Sequence, residues 1–201
     1  MCGWCWGFRP TWQQLETQVK TTLDIVYVVG GLAADSDQPM PMAMQQTLAA
    51  TWQRIQQHIP GTDFNHAFWN ATSDTQPRRS TYPACRAVLA AKIQDPSLEK
   101  AMILGIQQAY YLNAQNTSNI DILASVAGNI GLNTQQFTRD MASQTLELEL
   151  QQQIKLARQL SNQGFPSLVL SKGGRRYAIP LDYNNSHSMQ QAIMKITSPV
   201  V

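Results

Sequence analysis

Two cysteines at the start of the chain, Cys2 and Cys5, have the spacing that most clearly supports chemistry. A Cys-x-x-Cys pair is typical of thiol-disulfide redox chemistry or of half a zinc site. The apolar residues after the pair recur at steps of three and four, so the pair is predicted to begin a helix. Because a helix N-terminus lowers the pKa of a thiol, Cys2 is the predicted nucleophile and Cys5 the resolving partner.

Two other interpretations of the cysteine pair stay open at this point. A tetrahedral zinc site needs two further ligands, and no second closely spaced pair exists among the candidates, which are Cys85, His58, His66 and His187. The pair could also be a structural clasp in a non-catalytic binding protein. Cys85 follows Pro83 at the start of an amphipathic helix, so we expect it to pack in a core rather than act in redox chemistry.

Residues beside the pair and far from it extend the candidate site. Trp4 lies between the cysteines and is predicted to belong to a surface that touches a substrate, whereas Trp6 fits a surface or a core equally well. Gly164, Phe165 and Pro166 stand directly ahead of a predicted strand, where proline lacks the amide that a strand uses. One special use of such a proline is a cis peptide bond, although trans is the default for an X-Pro bond.

The elements that hold these residues change in character along the chain. Residues 23–29 form an apolar run that barely alternates, which predicts a strand buried on both faces and ended by two glycines. About a hundred residues with helical periodicity follow, and the last of these helical regions is predicted to reach Asn162. Two short strands at 167–171 and 175–179 then form a hairpin, and Ser186 is predicted to cap a final helix.

This order predicts an α/β domain that is interrupted by an all-helical insertion, because neither the first strand nor the hairpin forms a stable sheet alone. The α/β domain is assigned to 1–37 and 160–201, and the insertion to 38–159. The net charge of +2 and the pI near 8.5 argue against nucleic acid as a partner. No apolar run approaches the roughly 20 residues of a membrane span, and no leader precedes the pair, so a cytoplasmic location is expected.

Three segments together resemble one known family. They are Met-Cys-Gly-Trp-Cys-Trp-Gly-Phe at the start, Pro-Ala-Cys-Arg-Ala at 83–87 and Gly-Phe-Pro-Ser-Leu-Val-Leu at 164–170. In this order they are similar to the DsbA-type branch of the thioredoxin superfamily, and most of all to its FrnE-like members. The resemblance implies a thioredoxin-like fold split by a helical domain, and a thiol-disulfide oxidoreductase or protein-disulfide isomerase.

The same resemblance implies roles for the candidate residues. Cys2 matches the attacking cysteine, Cys5 the resolving cysteine, and the Phe165-Pro166 pair a cis-proline loop that holds an extended substrate. The implied partners are thiols and disulfides of proteins or peptides, with glutathione as a further reductant or substrate. No metal or nucleotide cofactor is implied.

Two departures from the family pattern leave the chemistry open. Relatives have a strand ahead of the cysteine helix, and this sequence supplies no residues for it, so the sheet edge beside the site is expected to be weakened or completed by a partner. The dipeptide Gly3-Trp4 differs from those of well-known oxidants and reductants, which leaves the direction of transfer undetermined. Glutathione-dependent kappa-class transferases and hydroxychromene-carboxylate isomerases share the split architecture, but a serine commonly stands at their nucleophile position.

Overall fold

The structure is a computed structural model of the 201-residue chain, and it describes residues 1–70, 76–160 and 164–198. This part of the chain is mostly helical and contains one small sheet. Its helices and strands are α1 (Gly3–Val19), α2 (Met42–His58), α3 (Tyr82–Gln94), α4 (Glu99–Tyr111), α5 (Ile120–Asn129), α6 (Thr134–Met141), α7 (Gln144–Leu160), β1 (Leu168–Lys172), β2 (Arg175–Ile179) and α8 (Ser186–Thr197). Short 3-10 helices occupy His66–Asn70 and Pro96–Leu98.

Side-chain caps mark several of the helix starts. The side chain of Asn133 accepts from the backbone N–H of Gln136 at 2.9 Å, which begins α6. Asp95 also accepts a backbone hydrogen bond, but it opens a 3-10 turn that runs into α4. The predicted cap at Ser186 is wrong by one residue, because Asn185 has the extended backbone of a cap and accepts from the N–H of His187 at 3.0 Å. The predicted helix end at Asn162 lies outside the described residues.

The hairpin is confirmed, with its first strand shifted by one residue from the predicted 167–171. Strands β1 and β2 are antiparallel, with Leu168 opposite Ile179 and Lys172 opposite Arg175. The two-residue turn is Gly173-Gly174, and both glycines have positive φ (57° and 76°). Two consecutive positive φ angles give the turn whose twist matches that of paired strands, and glycine adopts them without a steric cost.

The predicted strand at 23–29 is wrong. This segment has no regular secondary structure and is assigned to no sheet, and β1 pairs with β2 alone within the described ranges. Burial on both faces is also wrong, since the side chain of Val26 is 72% exposed. Apolar β-branched residues favour an extended backbone, but a strand exists only where a neighbour offers hydrogen bonds. No such neighbour reaches this segment from the part of the chain that is described.

The core consists of three apolar clusters. The first lies among the helices of the middle of the chain, the second joins α1, α2 and α4, and the third joins α1, the hairpin and α8. Central members are Leu123, Phe137, Leu146 and Leu150 in the first cluster, Trp6, Trp52, Ile55 and Tyr111 in the second, and Phe8, Leu15, Ile179 and Met189 in the third. Helix α1 therefore contributes to two clusters, which fixes the helix that carries the cysteine pair.

The middle of the chain is helical from α2 to α7, as expected for an insertion. The division of the chain at 37/38 and 159/160 stays a prediction. No helix within the described ranges is long and apolar enough to cross a membrane.

Candidate active site

Cys2 and Cys5 lie at the N-terminus of α1. Cys2 is the cap residue, with an extended backbone, and Cys5 lies one turn inside the helix. The two form a disulfide with a Cα–Cα distance of 5.3 Å, within the range that a disulfide spans without moving the backbone. The backbone N–H of Cys5 donates to the sulfur of Cys2 at 3.2 Å. After reduction, this N–H and the positive end of the helix dipole stabilise negative charge on that sulfur.

A loop from the far end of the chain lies against the sulfur of Cys2. The Phe165-Pro166 peptide bond is cis, and the carbonyl oxygen of Phe165 is 3.5 Å from Sγ of Cys2, although the two residues are 163 positions apart. Gly164 precedes them with φ +94°, a conformation that favours glycine, and a Cβ there would meet nothing within 4 Å. The structure thus brings together the residues that the sequence selected at its two ends.

The ring of Phe165 packs on Gly30. A Cβ at Gly30 would lie 2.5 Å from the far edge of that ring, so the close approach requires glycine. Sequence reasoning assigned Gly30 only to the end of a strand. Its contact with the loop depends on tertiary packing, and the two consecutive glycines were the only sequence signal of a close approach there.

Trp4, which stands between the cysteines in the sequence, is half-buried and packs against two aromatic rings. The ring centroids of Trp4 and Tyr183 are 5.2 Å apart, and those of Trp4 and His58 are 5.8 Å apart. Burial raises the pKa of Tyr183, so its hydroxyl stays protonated. Sequence reasoning missed Tyr183, and it considered His58 as a candidate zinc ligand rather than as a neighbour of Trp4. Nothing in the spacing of these residues indicates that three separate elements meet at Trp4.

Trp6 belongs to the core. Its side chain is 5% exposed, it stacks on Tyr111, and its Nε1 donates to the carbonyl of Asp63 at 2.9 Å. The opposite side of the first helical turn packs closely on α2, since a Cβ at Gly3 or Gly7 would lie within 3 Å of an isoleucine of that helix. These contacts hold the helix end, and hence Cys2, in a fixed position.

Cys85 lies in α3, in the wall of a cavity that Cys2 and Cys5 also line. Burial raises the pKa of the Cys85 thiol, and this outweighs the backbone N–H of Gly31, which favours the thiolate. The protonated thiol is a poor nucleophile. Cys85 also packs against the first apolar cluster, and the expectation that it packs rather than reacts stays a prediction.

The cavity measures about 620 Å³ and is mainly apolar. One wall is the segment 25–29, and another is formed by Phe165, Pro166 and the start of β1. Helices α1, α3, α4 and α7 supply most of the remaining lining.

The histidines do not converge on the cysteines as a metal site. Within the described ranges, no group of three or more histidine, cysteine, aspartate or glutamate side chains could hold a metal ion. Nε2 of His66 lies 3.3 Å from Gln56, and Nδ1 of His187 lies 3.1 Å from Gln190. The ligand set considered from the sequence is therefore not assembled.

A cysteine pair that begins a helix and lies opposite a cis-proline loop, in a mixed α/β fold, is the arrangement of thioredoxin-like proteins. A family model described as thioredoxin matches residues 1–191. The chain belongs to this thioredoxin family, and the resemblance drawn from its sequence is confirmed.

Solved structures share this fold. A proposed protein disulfide isomerase from Nitrosomonas europaea is 23% identical and has a TM-score of 0.83, covering 97% of this chain and 92% of that one. The cytosolic disulfide reductase DsbM from Pseudomonas aeruginosa is 24% identical with a TM-score of 0.77, covering 98% and 94%. A structure of DsbM with glutathione is also similar, with a TM-score of 0.75. At these identities the likeness establishes the fold.

Curated relatives carry a different description. The ClpXP adapter protein SpxH is 23% identical over 173 residues in Halalkalibacterium halodurans and 24% identical over 171 residues in Bacillus subtilis. Each match covers 84% of this chain, but 55% and 54% of the respective relatives. The chain thus spans little more than half the length of the curated relatives that it matches.

Proposed function

We propose that this protein is a thiol-disulfide oxidoreductase that acts on cysteines of proteins or peptides through the Cys2-Cys5 pair. The observation that carries the proposal is the position of the Cys2 sulfur. It accepts the N–H of Cys5 at a helix N-terminus, and it lies 3.5 Å from the Phe165 carbonyl of the cis-proline loop. A sulfur held in this way is a good nucleophile when reduced and a good leaving group when oxidised.

In the reductive direction, the thiolate of Cys2 attacks one sulfur of a substrate disulfide. A bond from Cys2 to that sulfur forms, the substrate S–S bond breaks, and the other substrate sulfur leaves as a thiolate that takes a proton. The deprotonated thiol of Cys5 then attacks the Cys2 sulfur, which releases the second substrate thiol and leaves the Cys2-Cys5 disulfide. Two electrons pass from the protein dithiol to the substrate.

Substrate binding is assigned to the surface around the pair. Gly164, Phe165 and Pro166, in the loop beside Cys2, are proposed to contact an extended peptide, and Trp4, between the two cysteines in the sequence, to supply an aromatic contact. Glutathione is the proposed small-molecule thiol that recycles the pair. Two glutathione thiols reduce the Cys2-Cys5 disulfide and become one glutathione disulfide. The glutathione present in one structure of DsbM supports this choice.

Reduction of the insulin disulfides tests the proposal. Wild type should accelerate the reaction with glutathione as electron donor, and Cys2→Ser should fall to the rate without protein. Cys85→Ala is the matched control, because it removes a cysteine outside the pair and should keep the wild-type rate. The proposal is wrong if wild type and Cys2→Ser give equal rates.

The Cys5→Ser variant separates this mechanism from glutathione-dependent transfer or isomerisation. Without Cys5 the mixed disulfide of Cys2 cannot be resolved within the protein, so it should accumulate and be visible by intact-protein mass spectrometry. A kappa-type enzyme would instead bind glutathione tightly and keep its turnover in this variant.

A second candidate function is that of a non-catalytic adapter, which the SpxH relatives favour. An adapter binds its partner through a surface and does not require a redox dithiol. Partner binding that is unchanged in the Cys2→Ser/Cys5→Ser variant, together with no insulin reduction by wild type, would support this candidate over the oxidoreductase.

A further inference from the structure

The loop between β2 and α8 brings an aromatic ring to the first turn of the cysteine helix. Tyr183 lies in this loop, and its ring centroid is 5.2 Å from that of Trp4. Trp4 directly precedes Cys5 in α1, and consecutive Cα atoms are about 3.8 Å apart. Whatever fixes the indole of Trp4 therefore acts close to the cysteine pair.

The loop is held in place by its own hydrogen bonds. The carboxylate of Asp182 accepts the backbone N–H groups of Asn184 and Asn185, each at 3.0 Å, and the hydroxyl of Ser188 at 3.0 Å. These bonds close the chain around Tyr183, since Asp182 precedes it and Asn184 follows it. The backbone that carries the tyrosine ring is therefore fixed without any contribution from Trp4.

The same loop is also bonded to the two helices that flank Trp4. The buried hydroxyl of Thr11 in α1 donates to the carbonyl of Tyr183 at 2.5 Å. The side-chain amide of Asn184 donates to the carbonyl of His58 at 3.2 Å, at the end of α2. The last carbonyls of a helix have no partner within the helix, so this bond satisfies one of them. The loop thus has a defined position relative to both helices.

The ring of Tyr183 lies between the core and Trp4. It packs edge-on against the buried ring of Phe8, with centroids 5.5 Å apart. The exposed ring of His58 packs edge-on against both Trp4 and Tyr183, at 5.8 Å in each case. Aromatic pairs at such distances stabilise each other beyond the area that they bury. Tyr183 therefore connects a fixed core side chain to the half-buried Trp4.

The backbone beneath Trp4 is fixed by a separate contact. A Cβ at Gly3 would lie 2.9 Å from Cδ1 of Ile55, so this turn of α1 packs closely on α2. The freedom that is left to Trp4 is rotation of its side chain, and the rings of Tyr183 and His58 restrict that rotation. Removing the ring of Tyr183 should thus free the indole while the helical turn stays in place.

We propose that Tyr183 is a positioning residue of the redox site, which holds the indole of Trp4 where a polypeptide substrate contacts it. This inference rests on the proposed function. A freed indole has to be ordered each time a substrate binds, which weakens binding. The sulfur of Cys2 is held by the N–H of Cys5 instead, so its reactivity does not depend on the tyrosine. The expected effect is therefore on KM rather than on kcat.

The kinetics of insulin reduction test this inference. Tyr183→Ala should raise KM for insulin about threefold to tenfold and change kcat by less than about twofold. Tyr183→Phe keeps the ring and should keep the wild-type KM. Tyr177→Ala is the matched control, because Tyr177 is also half-buried but lies in β2 opposite Leu170. If Tyr183→Ala does not fold, Tyr183→Leu takes its place, since it fills the site without an aromatic ring.

A double-mutant cycle separates positioning from a general effect on the fold. Trp4→Ala should raise KM by itself, and Tyr183→Ala should raise it no further in that background, because the tyrosine acts through the indole. A residue that only stabilised the fold would have the same effect in both backgrounds.

Three results would overturn the inference and leave the oxidoreductase assignment intact. They are an unchanged KM in Tyr183→Ala, equal increases in Tyr183→Ala and Tyr183→Phe, and additive effects of the Trp4 and Tyr183 substitutions. A wild type that does not reduce insulin would overturn the proposed function, and this inference with it. The wild-type rate therefore distinguishes the two failures.

Discussion

At the residue scale, the candidate chemistry depends on how differently the cysteines are placed. Cys2 lies at a helix N-terminus and accepts a backbone N–H, whereas Cys85 lies inside a helix with a thiol whose pKa is raised by burial. We therefore expect the two cysteine thiols to differ in reactivity. The residue type alone does not reveal this difference, which depends on burial and on the direction of nearby dipoles.

Alkylation measures this difference directly. In the reduced protein near neutral pH, Cys85 should react with iodoacetamide more than about tenfold more slowly than Cys2, because less of it is thiolate and it is less accessible. The rates are obtained by mass spectrometry of digests taken over time. In denaturant the two rates should converge, and rates that are already equal in the folded protein would contradict the burial argument.

At the element scale, the structure positions its loops by close backbone contacts rather than by a large sheet. Gly31 follows the segment 25–29 with φ +57°, and a Cβ there would lie 2.5 Å from the buried side chain of Ile154 in α7. Its backbone N–H also faces the sulfur of Cys85. This residue therefore fixes the place where the segment meets the helical part of the chain.

Gly31→Ala should be clearly destabilising. The left-handed backbone costs roughly 1–2 kcal/mol for a residue with a Cβ, and the forced contact with Ile154 adds about 1–3 kcal/mol. Gly61→Ala is the matched control, because Gly61 has φ +84° and a Cβ there would meet nothing within 4 Å. The free energy of unfolding in urea should fall further for Gly31→Ala than for Gly61→Ala, and the difference should equal the cost of the contact with Ile154. Equal losses of unfolding free energy would show that Ile154 moves away freely.

At the scale of the whole molecule, the first residue is half-buried and packs between two parts of the core. The side chain of Met1 packs against the first two apolar clusters, and burial lowers the pKa of its amino group from 8.0 to about 6. The thiol of Cys85 and the guanidinium of Arg79 are the ionisable neighbours that act on this amine. Folding of a chain that begins with a free amine at Met1 is thus coupled to loss of a proton.

In a chain that begins at Met1, stability should therefore rise between about pH 6 and pH 8. In that window the unfolded chain keeps the proton on its amine while the folded chain releases it, so raising the pH favours folding, by up to about 3 kcal/mol. Urea midpoints measured at pH 6 and pH 8 give the slope of stability against pH. A chain acetylated at Met1 cannot titrate there and should lose this slope, and an unchanged slope after acetylation would assign it to other groups.

Local signals in the sequence were enough to predict the helices and strands whose structure depends on residues nearby in the chain. Apolar periodicity located the helical middle of the chain, a capping residue located the last helix to within one residue, and the strand pattern located the hairpin, since these features depend on neighbours within a few residues. The cysteine pair and its helix were found for the same reason. The family resemblance then placed these elements in a thioredoxin-like fold.

Only the tertiary structure decided the features that depend on distant partners. The run at 23–29 favours an extended backbone, but it does not form a strand because nothing in the described chain pairs with it. The contact of Phe165 with Cys2 spans 163 positions, and Trp4 meets rings from two other segments. Sequence determined which residues could react, because reactivity begins with residue type and local backbone. The fold determined what faces them, because hydrogen bonds and packing act between residues that the sequence keeps far apart.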